Sequence, residues 1–144
     1  MNREKMNFPV IVFKNQDNFI YYFDKEKSLM TTTERLLGKK IFSNCKIVDS
    51  SGFVYKFKNA KKIGYVGFYG INPLLKSWWN NREILIEMEF EPDIVKIELN
   101  DLKSILIEKV EKSKSLWNEA WSLKELKQAI QQAETFQALI IIFK

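Results

Sequence analysis

Histidine is absent from this 144-residue chain, cysteine occurs once, and there are only five glycines and three prolines. Without an imidazole there is no Ser-His-Asp triad, no Cys-His pair, no His-ligated metal and no ordinary proton shuttle near neutrality. A single cysteine, Cys45, permits neither an internal disulfide nor a thiolate zinc site, and its apolar surroundings predict an inert buried thiol suited to a reducing cytosol. Long apolar runs are missing too. Residues 8–13 fall short of a signal-peptide core, and residues 138–143 fall far short of the roughly 20 apolar residues that span a bilayer. A soluble, cytoplasmic protein with no membrane partner is expected. The scarcity of glycine and proline, beside 46% apolar and 14% aromatic residues, excludes the disordered and low-complexity classes. At this length a single domain over residues 1–144 buries roughly 68–70% of its unfolded surface, enough for an ordinary core.

The clearest pattern is residues 84–90. Ile84, Ile86, Met88 and Phe90 alternate with Leu85, Glu87 and Glu89, and Glu91 follows, as in a strand with one face in a core and the other in water. Around it, residues 9–14 and 19–23 predict a hairpin through the turn-forming Asn15-Gln16-Asp17-Asn18. Residues 41–49 and 53–58 predict a second, with Gly52 supplying the positive φ of the loop. Residues 28–37 have helical spacing, capped by Ser28 or Thr31 and stopped by Gly38. Residues 63–69 and 94–99 predict further strands, while 74–79 and 116–121 predict single helical turns. Asn100 or Asp101 caps a helix running to about Lys112, and Ser122 with Glu125 forms the capping box of another. The short branched run 136–143 predicts a buried central strand. The expected fold is therefore α+β, an antiparallel or mixed sheet of about six strands packed by about three helices.

Charge is unevenly spread. Residues 1–72 hold 13 Lys and Arg against 6 Asp and Glu, net +7, and residues 73–144 hold 10 against 12, net −2. In the basic half, Lys39, Lys40, Lys46, Lys56, Lys58, Lys61 and Lys62 surround the second hairpin with Tyr55, Phe57 and Tyr65 nearby, a surface able to bind phosphates. Outward lysines also serve solubility and blunt sheet edges, and arginine, the better base reader, is nearly missing there. In the acidic half, Glu87, Glu89 and Glu91 form a row that can steer and dock a basic partner. Trp78 and Trp79 are adjacent, so they cannot share one face of an element; one indole is expected to stay exposed as a contact hot spot.

Two patterns that suggest enzymes are weak. Gly64, Gly67 and Gly70 lack the spacing of a dinucleotide fingerprint. Pro92-Asp93 with Asp101-Leu102-Lys103 looks like the acid-lysine motif of metal-dependent nucleases, but Asp101 to Lys103 is expected to open a helix, whereas that motif needs a strand. No catalytic residue, cofactor or metal is expected.

The strand Phe19-Ile20-Tyr21-Tyr22-Phe23, a short helix to Leu37, the hairpin around Asp49-Ser50-Ser51-Gly52 and the C-terminal helices follow an order of parts over most of the chain. That order resembles single-domain immunity proteins of bacterial polymorphic-toxin and contact-dependent growth inhibition systems. The resemblance implies a non-enzymatic cytoplasmic binder that occludes a cognate toxin, often a nuclease. Blockers of basic nucleases are commonly acidic, whereas this chain is basic overall. The expected contact residues are Glu87, Glu89, Glu91, Trp78 and Trp79, with a nucleic-acid-binding module built on the seven lysines as the alternative.

Overall fold

The computed structural model describes residues 6–33, 42–65, 83–113 and 122–144. In chain order these residues form β1 (Val10–Lys14), β2 (Ile20–Phe23), α1 (Glu26–Leu29), β3 (Thr31–Thr33), β4 (Cys45–Val48) and β5 (Phe53–Tyr65). There follow β6 (Glu83–Phe90), β7 (Val95–Lys96), α2 (Leu99–Lys112), α3 (Leu123–Gln132) and α4 (Phe136–Ile141). The fold is α+β. All pairings are antiparallel, and the sheet runs β2-β1-β4-β5-β6-β3 with β7 added to β5.

β5 gives the sheet its shape. Its first residues bond β4 on one edge and β7 on the other, and its later residues pair with β6. Register shifts between Phe57 and Asn59 and between Lys62 and Gly64 mark irregularities where an extra residue bends a strand and strengthens its twist. The sheet curls at this point. Ile84, Ile86 and Met88 of β6 thereby join Val10 and Val12 of β1, Ile47 of β4 and Tyr55 of β5 in one buried cluster.

The other face is closed by helices. Ile11, Phe13, Val48 and Val54 pack with Leu102, Leu106 and Val110 of α2, Leu126 and Ile130 of α3, and Leu139 and Ile140 of α4. β1 lies between the two clusters, so Val10, Ile11, Val12 and Phe13 are all at most 3% exposed. This is why its sequence is an unbroken apolar run while that of β6 alternates.

Both predicted hairpins are present, as β1–β2 and β4–β5. The second turn is fastened by Asp49, a fully buried carboxylate. Its Oδ1 accepts from the backbone N–H of Ser51 and of Phe53, at 2.9 and 3.0 Å, and its Oδ2 accepts from the N–H of Asn7 at 3.2 Å. Gly52 has φ +87, and a Cβ there would lie 2.6 Å from the Phe136 ring, so both backbone conformation and space demand glycine.

Four expectations are corrected. Residues 136–143 contain no strand: Thr135 caps α4 by accepting from the Ala138 N–H at 3.0 Å, and Leu139, Ile140 and Phe143 are buried at helical spacing. A short apolar run is compatible with either element, and here the cap decides. The helix expected over 28–37 is instead α1, ending at Leu29. Three successive β-branched threonines then form β3 on β6, and residues 34–37 lie outside the described residues. The strand expected from residue 41 begins at Cys45, after a turn in which Asn44 has φ 65. The strand expected over 94–99 is only Val95–Lys96, because α2 already starts at Leu99, with Glu98 rather than Asn100 or Asp101 at its N-cap. The strand predicted over 63–69 is, as far as Tyr65, the end of β5. The helical turns predicted at 74–79 and 116–121 lie outside the described residues.

Among the described residues, no helix is long and apolar enough to cross a membrane.

Candidate functional site

β6 presents its charged side chains because its alternate positions are anchored. Ile84, Ile86 and Met88 are at most 1% exposed, and with a period of two this sends Glu87 and Glu89 to the opposite, exposed side. Glu91 follows, also exposed, with its N–H donating to the Lys56 carbonyl at 2.8 Å. Glu87 and Glu89 are therefore fixed on a strand packed from behind by Ile84, Ile86 and Met88, and Glu91 lies just past its end.

Its neighbours are the lysines. The β5–β6 register sets Lys61 directly across from Glu87 and Asn59 across from Glu89, separations of roughly 4.5–5.5 Å between Cβ atoms. Lys56, Lys58 and Lys61 are all exposed. On the far edge of β5, Lys46 of β4 faces Lys56, a like-charge pair. Lys62 is exposed and pairs in register with Ile86. Lys61 and the acidic strip, far apart in the sequence, thus meet on adjoining strands as one face of mixed charge, whereas Lys62, in register with buried Ile86, belongs to the other face. Lys39, Lys40, Trp78 and Trp79 lie outside the described residues.

Beside Glu87 the surface is indented. A cavity of about 460 Å³ is lined by Met30, Ile63, Leu85 and Met88 together with Glu26, Lys27 and Glu87. Ile63 is 60% exposed at this place. An apolar hollow bordered by charges of both signs can seat one apolar side chain of a partner.

The acid-lysine pattern has no nuclease geometry. Asp101 and Lys103 belong to α2, and the Lys103 Nζ donates to the Gln131 carbonyl at 2.9 Å, tying α2 to α3. Gly64, the one member of the glycine repeat among the described residues, lies beside the second irregularity of β5, where close backbone approach is expected.

Cys45 is buried, and burial pushes its thiol above the usual range, opposed by Lys14 and reinforced by Asp17. This is the environment of an unreactive thiol.

Lys109 was not anticipated. It is 6% exposed on the apolar side of α2, its Nζ donating to the carbonyls of Lys14 and Asp17 and lying 5.4 Å from the centre of the Phe13 ring. Burial lowers its pKa, with the Asp17 and Glu108 carboxylates opposing. The signal was present in the spacing: Leu102, Leu106, Lys109 and Val110 share one helical face, and a charge there needs partners. Its role is to pin the end of α2 to the β1–β2 turn.

Comparison with protein-family models, with curated proteins and with solved structures finds no match to this chain.

Proposed function

We propose that the chain is a non-catalytic binding domain that docks another protein on the outward face of β6 and, in line with its resemblance to immunity proteins, neutralises a toxin. The observation that carries this reading is the row Glu87 and Glu89, exposed on a strand whose reverse side buries Ile84, Ile86 and Met88, continued by exposed Glu91 just past its end. A row held this way loses little conformational freedom on binding. The lysines beside it refine the expectation. A partner must match alternating signs, because Lys61 stands against Glu87 and Lys56 and Lys58 lie on the next strand, and such patterning selects among partners more than it adds affinity. The hollow beside Glu87 supplies the apolar part of the contact.

One observation favours the nucleic-acid reading. Lys46 and Lys56 oppose each other across β4–β5, an unfavourable pair that a phosphate would relieve. Against it, a phosphate backbone tracking from there toward Lys61 would meet Glu87 and Glu89.

Co-expression with the product of the adjacent upstream gene tests the first reading. A stoichiometric complex that abolishes the partner's toxicity is expected, and in it the Glu87→Lys/Glu89→Lys variant should slow association by about tenfold or more at low salt. Absence of a complex, combined with micromolar binding to a generic oligonucleotide that weakens steeply with salt, would transfer the function to the lysines.

A further inference from the structure

On the outward side of β5 and β6 the polar side chains form two stripes. β5 contributes Lys56, Asn59 and Lys61, β6 contributes Glu87 and Glu89 with Glu91 just past its end, and all six are exposed. Strand pairing sets the stripes level with each other. Lys61 is across from Glu87 and Asn59 from Glu89, and the bond from the Glu91 N–H to the Lys56 carbonyl continues the match. Among the described residues no ion pair joins Lys61 to Glu87 or Lys56 to Glu91, so these opposite charges lie side by side yet stay open to a partner from outside. Ile63, further along β5, is 60% exposed and lines the hollow together with Leu85 and Glu87.

We infer that two copies of this chain pair face to face through these stripes, about a two-fold axis lying between β5 and β6 and parallel to them. The charge pattern selects both the occupant and the axis. This rotation lays β5 of one copy over β6 of the other and keeps every residue at its own level along the strands. Lys61 then meets Glu87 of the second copy, Lys56 meets Glu91, and the Asn59 amide meets the Glu89 carboxylate, each contact made twice. No like charges face each other. A two-fold axis across the strands instead lays β5 on β5 and β6 on β6, lysine over lysine and glutamate over glutamate. The stripes are thus their own complement in the first arrangement alone. The sheet curls toward the core that holds Ile84, Ile86 and Met88, so its outward side is convex, and α2, α3 and α4, packed over Ile11, Val48 and Val54, slope away from the contact. Facing sheets lie about 10 Å apart, a gap that extended Lys and Glu side chains bridge. Exposed ion pairs contribute little each, so the dimer is weak and forms as concentration rises. In one consequence the inference rests on the docking reading above: the second copy covers Glu87 and Glu89, and a partner has to displace it.

The test is a charge swap in the full chain, read by sedimentation over a range of protein concentrations. The unaltered chain is expected to show a concentration-dependent dimer. Glu87→Lys sets lysine over lysine at two places and should weaken it about tenfold or more, and Lys61→Glu should do the same with carboxylates. The double variant Glu87→Lys/Lys61→Glu should recover the dimer, because its pattern is again self-complementary. Mixed with the unaltered chain, one of the two carrying a fluorophore, it should form no mixed dimer, since like charges then face each other at both places. A chain that sediments as a monomer at every concentration overturns the inference. So does a single reversal without effect, a swap that fails to recover the dimer, or free mixing of the two chains, since each places the contact elsewhere. None of these outcomes touches the docking reading, whose own failure shows as the absence of a complex with the upstream gene product.

Discussion

The two faces of the sheet are closed by different means. One is roofed by α2, α3 and α4, three elements adjacent in sequence, whereas the other closes on itself because β5 bends and carries β6 back over β1 and β4. The roof is assembled from local instructions. Ser122 accepts from the Glu125 N–H and Thr135 from the Ala138 N–H, so two helices start where a hydroxyl tells them to. The curl has no such label, since it arises from two irregularities in the pairing of strands distant in sequence. Local chemistry and long-range pairing thus build comparable cores.

The sharpest way to break that comparison is to empty each core in turn. Ile86→Ala on the curled side and Leu106→Ala under the helices, both fully buried, should each cost about 2–5 kcal/mol. Because β1 lines both cores, urea unfolding followed by near- and far-UV circular dichroism should give one shared transition in either variant. Separate transitions would mean the faces fold independently. A smaller loss, about 2–3 kcal/mol, is expected for Asp49→Ala, which leaves three backbone N–H groups without their acceptor. Asp49→Asn should lose less, since its side-chain oxygen can still accept from Ser51 and Phe53, and thermal denaturation of the two variants separates charge from hydrogen bonding.

Cap removal acts on the roof alone. Ser122→Ala and Thr135→Ala should each cost about 1 kcal/mol by chemical denaturation. The smallest effect concerns Lys109 and depends on pH. Its pKa in the folded chain is lowered, so between that value and the ordinary lysine value the unfolded chain binds more protons and stability rises with pH. Below the window the buried charge is a constant cost; above it the amine is neutral in both states, and its two remaining N–H groups still serve the carbonyls of Lys14 and Asp17. The stability of the unaltered chain relative to Lys109→Met should therefore climb with pH below the ordinary lysine value of about 10.4 and level off above it. A flat difference would show that the ammonium is well solvated.

These contrasts also explain what the residues alone could tell. The alternation in β6 fixed the exposure of Glu87 and Glu89, because a period of two admits a single arrangement once Ile84, Ile86 and Met88 are buried. Gly52 was legible as a turn residue, although its contact with Phe136 was not, since that ring arrives from a helix at the other end of the chain. The run 136–143 is ambiguous in the sequence because branched apolar residues in a short stretch suit either element, and the decisive Thr135 hydroxyl precedes the run. The apposition of Lys61 and Glu87 could not be foreseen, since a one-residue slip would have paired other side chains.

β1 has a consequence for how the protein can vary. With Val10, Ile11, Val12 and Phe13 enclosed from above and below, none of its central positions is free to accept a polar substituent. A saturation library scored for survival should record those four codons as an unbroken band of intolerance, and β6 as a stripe in which every second codon tolerates change.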